Sequence, residues 1–534
     1  MFSIPELLQD VMEYVYTFGS PNHRAIDQTG LVCKTWREAA LTVKWREANL
    51  IPLLSLLVGA RIEKCTYSGP LTKEHWGRFD DVARRVMILH TPYRYSTPAS
   101  ILAAIADSRP DQDIALFPRL QTLNMSWSSE RDVIQIMEFL PENLERFDVG
   151  IDGGRYRKGL ETDFMTLLPQ RFEHLSELAL YSRGDASDDF ADAVATLLPQ
   201  LPKLRLVWLS IIQLTSQMVK SLAGMPFLEK LHLDRPPTDS ISELLLESWN
   251  TDSFPNLSTL DIPTRFNQAT ASVLHKISNT NFRSLSTLKL IHLTKKATPT
   301  VEMDVDRVLQ KIQAHFALLH LTLQSMDLQS VSAGTLQPLI SLNKLRTLKI
   351  SFKATSMRIR DKDVEELLEH LPNLESLTLA LQDDDECKLT LSSLLSALNL
   401  CPLLIYVGLL VDASTELIPS TVQPPHRSIR SLDFGDLLNS RRVSPLDSAV
   451  EVAAFIGQLS DEVLEIAWGD EDRYDIDEDG DCVNDDSGDY AAVEIWREVH
   501  DFIPIFQEAR RRERLLCLNG AGGIKRRGYA PPSL

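Results

Sequence analysis

The residue types most suited to chemistry form a run of carboxylates near the C-terminus. Residues 470–489 hold eleven Asp and Glu side chains against a single base. Within this run, segment 475–481 places Asp at alternate positions with Gly480 before the last, as in the first half of a calcium-binding loop. Asp486 then stands where such a loop needs a bidentate Glu. We therefore expect 471–489 to be a disordered, solvated acidic loop, with a weak calcium site as the alternative.

The residues after this loop have apolar side chains at helical spacing. The spacing predicts a helical cap over 490–518, broken at Pro504, and a disordered Gly-rich tail over 519–534. Arg and Lys residues cluster between positions 510 and 527. This cluster indicates either a nuclear import signal or a place where the acidic loop folds back.

Nothing else in the sequence points to bond chemistry. The motifs of zinc proteases, serine hydrolases, phosphate-binding loops and dinucleotide-binding turns do not occur in it. The twelve His residues are scattered, and the six Cys residues lack the close pairing of zinc sites. We therefore predict no catalytic residue, no metal site, no cofactor and no enzymatic activity.

The elements that position these residues are set by a repeated apolar signature. A hydrophobic residue, two others, a second hydrophobic residue, one other and a third hydrophobic residue recur fourteen times, with starts between Ala83 and Val463. The starts lie 24 to 37 residues apart, about 29 on average, which is typical of stacked leucine-rich repeats. The signature predicts a short strand with one buried face, and helical spacing fills the intervals. The fold class is therefore α/β, with one strand and one helix per repeat.

Segment 371–379, Leu-Pro-Asn-Leu-Glu-Ser-Leu-Thr-Leu, resembles the longer, irregular leucine-rich repeats. The Asn or Cys that such repeats usually carry three residues after the strand is missing from every copy. Because that residue ties successive turns together, we expect an irregular solenoid with uneven curvature and variable repeat length.

Strand residues that alternate with the buried ones face the other side of the sheet, where a repeat protein binds its partner. Trp208 is the best anchor among them because Trp, Tyr and Arg contribute most to interfaces. Other outward residues are Arg146, Asp148, Lys289, Lys349 and Tyr406. The predicted substrate-binding patch consists of Tyr181, Trp208, His232, Asp234 and Asp261.

The first fifty residues do not follow the repeat pattern. Apolar residues at helical spacing in 4–15 and 31–40 predict a small unit of two or three helices. The Pro-Glu-Leu-Leu opening, Val11, the Val-Cys-Lys-x-Trp-Arg centre and Trp45 together resemble an F-box. The polar stretch 19–30 departs from the resemblance, because many F-boxes have a compact apolar and acidic middle there.

The resemblance to an F-box implies a substrate-recognition subunit of a Skp-cullin-F-box type ubiquitin ligase. The helical module would dock on the Skp-family adaptor of a cullin-RING ligase, and the repeats would hold an unknown protein substrate. Such docking requires apolar side chains that are exposed in the free protein. The adaptor-binding residues implied by the resemblance are Pro5, Leu7, Leu8, Val11, Leu31, Val32, Cys33, Trp36 and Arg37.

Composition limits the other partners. The formal net charge is −19, and no basic stripe with interleaved aromatic residues occurs in the repeats, which argues against nucleic acid. The longest uncharged apolar run, 50–60, is too short to cross a bilayer, and no basic leader precedes it, so we expect no membrane role. We expect the chain in the cytoplasm, the nucleus or both.

The predicted domain order combines these parts. It is an F-box-like helical module (1–50), a linker or N-terminal cap of helices (51–78), the solenoid of degenerate repeats (79–470), the acidic loop (471–489), the helical cap (490–518) and the tail (519–534). The alternative function is a leucine-rich-repeat scaffold for protein–protein interaction, without a ligase role, whose N-terminal helices only cover the end of the solenoid. The remaining alternative is an enzyme with an unfamiliar site in the acidic region.

Overall fold

The structure is a computed structural model, which describes part of the chain. The acidic loop 471–489 and Asp234 lie outside the described residues, as does the tail beyond Asn519, so the predictions made for them stay predictions. The described residues are 4–18, 24–58, 73–91, 108, 115–128, 130–137, 139–151, 163–182, 188–210, 214–233, 253–263, 284–292, 305–313, 318–383, 389–412, 429–434, 447–459, 465–467 and 490–519.

The chain divides into two compact units, the first formed by Met1–Pro263 with Asn279–Ser284, and the second by Thr264–Ser278 with Leu285–Leu534. Unit 1 begins with three helices, α1 (Ile4–Phe18), α2 (Arg24–Thr29) and α3 (Lys34–Lys44). We call them the helical module. They enclose a small hydrophobic core of their own, so the helices predicted for this segment are confirmed. Its buried members are Leu8, Met12, Ile26, Ala40 and Val43.

Unit 1 continues with parallel strands that pair in sequence order, joined by helices in the described connections. The strands are β1 (Glu47–Asn49), β2 (Ile88–Thr91), β3 (Thr122–Ser128), β4 (Arg146–Ile151), β5 (Glu177–Ser182), β6 (Leu206–Ser210), β7 (Lys230–Leu233) and β8 (Thr259–Pro263). The helices are α4 (Leu50–Val58), α5 (Lys73–Ala83), α6 (Glu130–Met137), α7 (Asp163–Arg171), α8 (Asp188–Leu197) and α9 (Ser216–Ala223).

Unit 2 has the same construction. Its strands are β9 (Thr287–His292), β10 (His320–Ser332), β11 (Thr347–Arg358), β12 (Ser376–Asp383), β13 (Tyr406–Leu409), β14 (Ser431–Asp433) and β15 (Glu465–Ala467). Its helices are α10 (Val305–Ile312), α11 (Ala333–Leu336), α12 (Asp361–Glu369), α13 (Leu391–Leu400), α14 (Asp447–Ile456) and α15 (Tyr490–Asn519).

Each of the fourteen predicted copies of the signature contributes one strand, from β2 to β15, which confirms the strand-and-helix repeat architecture. The first copy is displaced. Because Leu89 pairs in register with Leu123, its buried positions are Val86, Leu89 and Thr91, three residues later than predicted. In addition, β1 lies inside segment 1–50 and α4 packs against β1 and β2, so the sheet begins before residue 79.

Backbone hydrogen bonds join each repeat to the one before it. At the start of β5, for example, the N–H groups of Ser176 and Glu177 both donate to the carbonyl of Glu145, at 2.9 and 3.0 Å. In unit 2 the N–H groups of Glu375 and Ser376 likewise both donate to the carbonyl of Arg346. One carbonyl thus accepts two donors at successive repeats, which aligns the strands in register.

Side-chain hydrogen bonds also join successive repeats at the turns before the strands, although the sequence predicts such a link only after the strand. Asn256 Nδ2 donates to the Pro226 carbonyl at 2.6 Å, and Asn373 Nδ2 donates to the Asn343 carbonyl at 2.9 Å. Each bond joins the turns of two successive repeats. Asn256 and Asn373 therefore supply part of the link between repeats that was expected after the strand.

Polar side chains cap several helices and link them. Thr215 Oγ1 accepts the Met218 N–H at the start of α9. Thr390 caps α13 in the same way and itself donates through Oγ1 to Asp361 Oδ2 of the preceding helix at 2.7 Å. The Ser393 hydroxyl also donates to Asp361, at 2.6 Å. Asp361, the first residue of α12, therefore also fixes the start of the next helix.

The C-terminal segment forms one helix, so the prediction that Pro504 breaks it is wrong. Val499 and Ile503 are buried, and α15 packs against α14. The approach is close at Gly457, where a Cβ would lie 3.1 Å from Cβ of Phe506. This packing holds the helix on both sides of Pro504 although the proline lacks a backbone donor.

Candidate binding surfaces

Helix α1 carries two apolar stripes. Leu8 and Met12 lie in the core of the helical module and are buried. Leu7, Val11 and Tyr14, spaced as one helical stripe, are 50%, 50% and 64% exposed. One helix therefore stabilises the module with one stripe and leaves the other exposed at the surface.

The turn between α2 and α3 adds a second exposed apolar segment. Leu31 and Val32 are 86% and 64% exposed, and Cys33 and Arg37 after them are exposed. Trp36, in contrast, is half-buried against the module core. Among the residues implied by the F-box resemblance, Leu8 is thus in the core and Trp36 at its edge, and Pro5 lies in α1 with a side chain outside the described ones. The accessible ones are Leu7, Val11, Leu31, Val32, Cys33 and Arg37.

Arg85 connects the helical module to the first repeats. Its side chain is 8% exposed, and Nη2 donates to Glu38 Oε2 of α3 at 2.6 Å. Nη1 donates to the hydroxyl of Thr42, also on α3, at 3.1 Å. Beside it, Arg46 Nη1 donates to Glu13 Oε1 of α1 at 3.0 Å. These bonds hold α1 and α3 against the start of the sheet.

The outer sheet face consists of the strand residues that alternate with the buried ones. Trp208, His232 and Asp261 of the predicted substrate patch form one row on this face of unit 1, and Tyr181 contacts Trp208 from another outward position of β5. The rings of Tyr181 and Trp208 meet edge to face at 5.2 Å between centroids, and those of Trp208 and His232 lie 5.6 Å apart. His232 Nδ1 lies 3.4 Å from Asp261 Oδ2. Asp234, the fifth residue, lies outside the described residues.

A polar row continues from this patch toward the helical module. In the strand register Ala179 lies beside Trp208, Asp148 beside Ala179, and Asn124 beside Asp148. His90 follows on β2, where its Nδ1 lies 3.1 Å from Asn124 Nδ2. The outer face of unit 1 thus passes from aromatic to polar along adjacent strands.

Asp148 has two oxygens in different surroundings. Arg146 donates from Nε and Nη2 to Asp148 Oδ2 at 3.2 and 2.9 Å, and from Nη1 to Glu177 Oε2 at 3.1 Å. Asp148 Oδ1 is buried without a hydrogen-bond partner among the described residues, and the same is true of Asn124 Oδ1. Burial raises the pKa of Asp148, and the hydrogen bond from Arg146 offsets this only in part.

The outer face of unit 2 carries different side chains at the equivalent positions. Lys289, Thr322, Lys349, Thr378 and Gly408 align across β9 to β13. Lys289 is half-buried and Lys349 is exposed. This row combines cationic and hydroxyl groups.

Tyr406, predicted as an outward residue, is tied into the structure. Its hydroxyl donates to Asp433 Oδ2 at 2.5 Å and lies over Gly408, where a Cβ would come within 3.2 Å of it. Burial, and then the hydrogen bond to Asp433, raise the pKa of Tyr406. This side chain links β13 to β14.

The described part of the chain forms neither a metal-binding cluster nor a membrane-spanning helix. No group of three or more His, Cys, Asp or Glu residues lies close enough there to hold a metal ion. Cys401 is buried, which raises the pKa of its thiol to about 12. None of the helices within the described ranges is long and apolar enough to cross a membrane.

Three residues of these surfaces were missed from the sequence. Tyr14 continues the spacing of Leu7 and Val11, so helical periodicity was a usable signal. Asn124 occupies an outward strand position, which the alternation could have shown. Arg85 has no sequence signal, because only the packed structure brings it to α3.

The comparisons with known proteins come from solved structures, since no protein-family profile and no curated protein matches the chain. An internalin (inlF) from Listeria monocytogenes is similar over 67% of this chain and 88% of its own, at 13% identity and a TM-score of 0.35. TLR13 in its complex with ssRNA13 is similar over 67% and 53%, at 14% identity and 0.33. The APL1 leucine-rich repeat domain is similar over 65% and 79%, at 14% identity and 0.29. At TM-scores this low the similarity carries no argument about the fold. The fold is established by the register of the paired strands.

Proposed function

We propose that this chain is the substrate-recognition subunit of a Skp-cullin-F-box type ubiquitin ligase. The helical module binds a Skp-family adaptor, and the outer sheet face of the repeats binds a target protein. The observation that supports this proposal is the exposed stripe of Leu7, Val11 and Tyr14 on a helix whose other stripe fills the core of the module. Exposed apolar patches of this kind mark binding surfaces.

The stripe also favours the ligase subunit over a simple cover for the end of the solenoid. A cover needs apolar residues only where it meets the repeats, and a polar outer face is required for solubility. Leu31 and Val32 add apolar surface at a turn, where a cover has no use for it. Adaptor docking gives all these side chains a partner.

The connection through Arg85 suits a proximity mechanism. A substrate receptor raises the effective concentration of its target near the transferring subunit, and this gain depends on geometry. The bonds from Arg85 to α3 and from Arg46 to α1 restrict how the module moves against the first repeats. A target bound on unit 1 is then presented at a defined distance from the adaptor, while the bond chemistry occurs on other subunits.

Mixing the purified full chain with a purified Skp-family adaptor tests the proposal. We expect a stable 1:1 complex in size-exclusion chromatography with light scattering. The double variant Leu7→Asp/Val11→Asp places charges on the exposed stripe and should abolish the complex while the thermal transition is unchanged. Leu8 is unsuitable for this test because a charge in the module core would unfold it.

Ile505→Asp is the matched control, since Ile505 is 62% exposed on α15, far along the chain from the module. This variant should bind the adaptor like the wild type. If the wild type forms no complex, or if the double variant binds as tightly as the wild type, the ligase role is excluded. The scaffold function would then account for the repeats.

A further inference from the structure

Asp148 presents a buried acceptor that no described residue satisfies. Its Oδ1 is without a hydrogen-bond partner among the described residues, although the residue is only 8% exposed. Asn124, at the adjacent position of β3, also has a buried Oδ1 without a partner there. Buried acceptors nearly always have donors, and leaving one unsatisfied is costly. Two such oxygens on neighbouring strands indicate a donor that comes from another molecule.

The charges around these oxygens favour a cationic donor. Arg146 already places its guanidinium on Asp148 Oδ2 and on Glu177, so the surface stabilises a positive group at this point. Two carboxylates face this one guanidinium, which leaves one negative charge uncompensated. A second cation on Asp148 Oδ1 would compensate that charge and satisfy the free acceptor.

Aromatic rings border the other side of this position. Only Ala179 separates Asp148 from Trp208 in the strand register, so their backbones are two strand spacings, about 10 Å, apart. Tyr181 contacts the Trp208 ring. The faces of Trp and Tyr rings attract ammonium and guanidinium groups. A long cationic side chain that crosses Trp208 would therefore end at Asp148.

We propose that the outer face of β4 to β6 binds a Lys or Arg side chain of the target protein, with Asp148 and Asn124 accepting its hydrogen bonds and Trp208 contacting its stem. This inference rests on the proposed function, because it concerns the target that the repeats hold.

The outer face of unit 2 serves as the comparison for the proposed cation-binding site on unit 1. It carries Lys289 and Lys349 in the equivalent row, and its carboxylate, Asp433, already accepts the Tyr406 hydroxyl. A basic target segment is therefore repelled there and attracted on unit 1.

A random peptide library displayed on phage, selected against the full chain, tests the proposal without knowledge of the target. We expect wild-type protein to enrich peptides that share a Lys or Arg at one position, and Asp148→Asn to lose that preference. A synthetic peptide from the selection should bind Asp148→Asn and Trp208→Ala about tenfold more weakly or worse, measured by fluorescence polarisation. Replacing its basic residue with Gln should weaken binding to the wild type similarly. Asp433→Asn is the control and should bind like the wild type.

Glu177→Gln provides a second variant if Asp148→Asn does not fold, because Glu177 lies at the surface and shares Arg146. A wild-type selection without basic residues would overturn the proposal. So would unchanged peptide binding by the folded variants, which would mean that water satisfies Asp148 Oδ1. Adaptor binding of the same variants separates the two proposals: if the chain binds no adaptor but selects basic peptides through Asp148, the ligase role fails and the cation site stands.

Discussion

The outer faces of the two units share a backbone pattern and differ in chemistry. In unit 1 the central row includes Asp148, Trp208 and Asp261, whereas in unit 2 it includes Lys289 and Lys349. The buried rows behind them are alike, with Leu and Val residues close to fully buried in both. The difference shows that the buried positions define the repeat, while the outward positions can be varied for binding without altering it.

The largest expected effect is the loss of stability when a buried Leu at the same repeat position is replaced in each unit. It tests whether the buried rows of the two units are equivalent. Leu178→Ala in unit 1 and Leu377→Ala in unit 2 each remove a side chain with no exposed surface at the same repeat position. Each should lower the free energy of unfolding by about 2–5 kcal/mol, because a cavity is left in a packed core. Chemical denaturation of each variant measures this loss. A cost below about 1 kcal/mol in one unit only would contradict a common frame.

The next effect concerns a close contact at Gly408 in unit 2. Gly408→Ala places a Cβ 3.2 Å from the Tyr406 hydroxyl and 3.3 Å from Thr378 Cγ2, so the Tyr406 to Asp433 bond must shift. We expect a loss of about 1–3 kcal/mol from overpacking, measured by thermal denaturation. Ala179→Ser in unit 1, which adds one small atom at a row position beside Trp208, is the comparison. Equal melting temperatures for wild type and Gly408→Ala would show that the contact is relaxed without cost.

The smallest expected effect is a pH dependence of the free energy of unfolding that comes from Asp148 in unit 1. The folded-state pKa of Asp148 is raised by burial, so its contribution to stability is present at low pH and decreases as the pH rises through that pKa. Asp148→Asn removes this titration, so its stability relative to wild type should increase as the pH is raised from 4 to 7. Urea denaturation at several pH values measures the difference. A relative stability that falls with rising pH would contradict the raised pKa.

The repeat frame was predictable because period and alternation are local properties of the chain. Residues such as Leu178 and Leu377 were placed correctly in the buried row. Trp208, His232 and Asp261 lie side by side because equal strand positions in successive repeats are adjacent, whereas Tyr181 reaches Trp208 from another outward position of β5. The strand β1 was missed because a three-residue strand has too few residues to show alternation.

Other features were not predictable from local patterns. Helical spacing on α1 gave two apolar stripes, but which stripe packs inward depends on where α3 lies, so Leu8 was assigned to the adaptor surface although it is in the core. The continuity of α15 through Pro504 depends on packing against α14. Side-chain ties such as Asn256 to Pro226 depend on contacts between turns about 30 residues apart.

The sequence alone was enough to predict a stacked α/β repeat and the strand positions that face outward. The reason is that burial of one strand face produces an alternation and a repeat length that are visible in a single sequence. Tertiary structure decided which apolar stripe of α1 is exposed, how Arg85 joins the helical module to the sheet, and which oxygen of Asp148 has no donor among the described residues. These depend on distances between residues far apart in the chain, and such distances exist only once the repeats have packed.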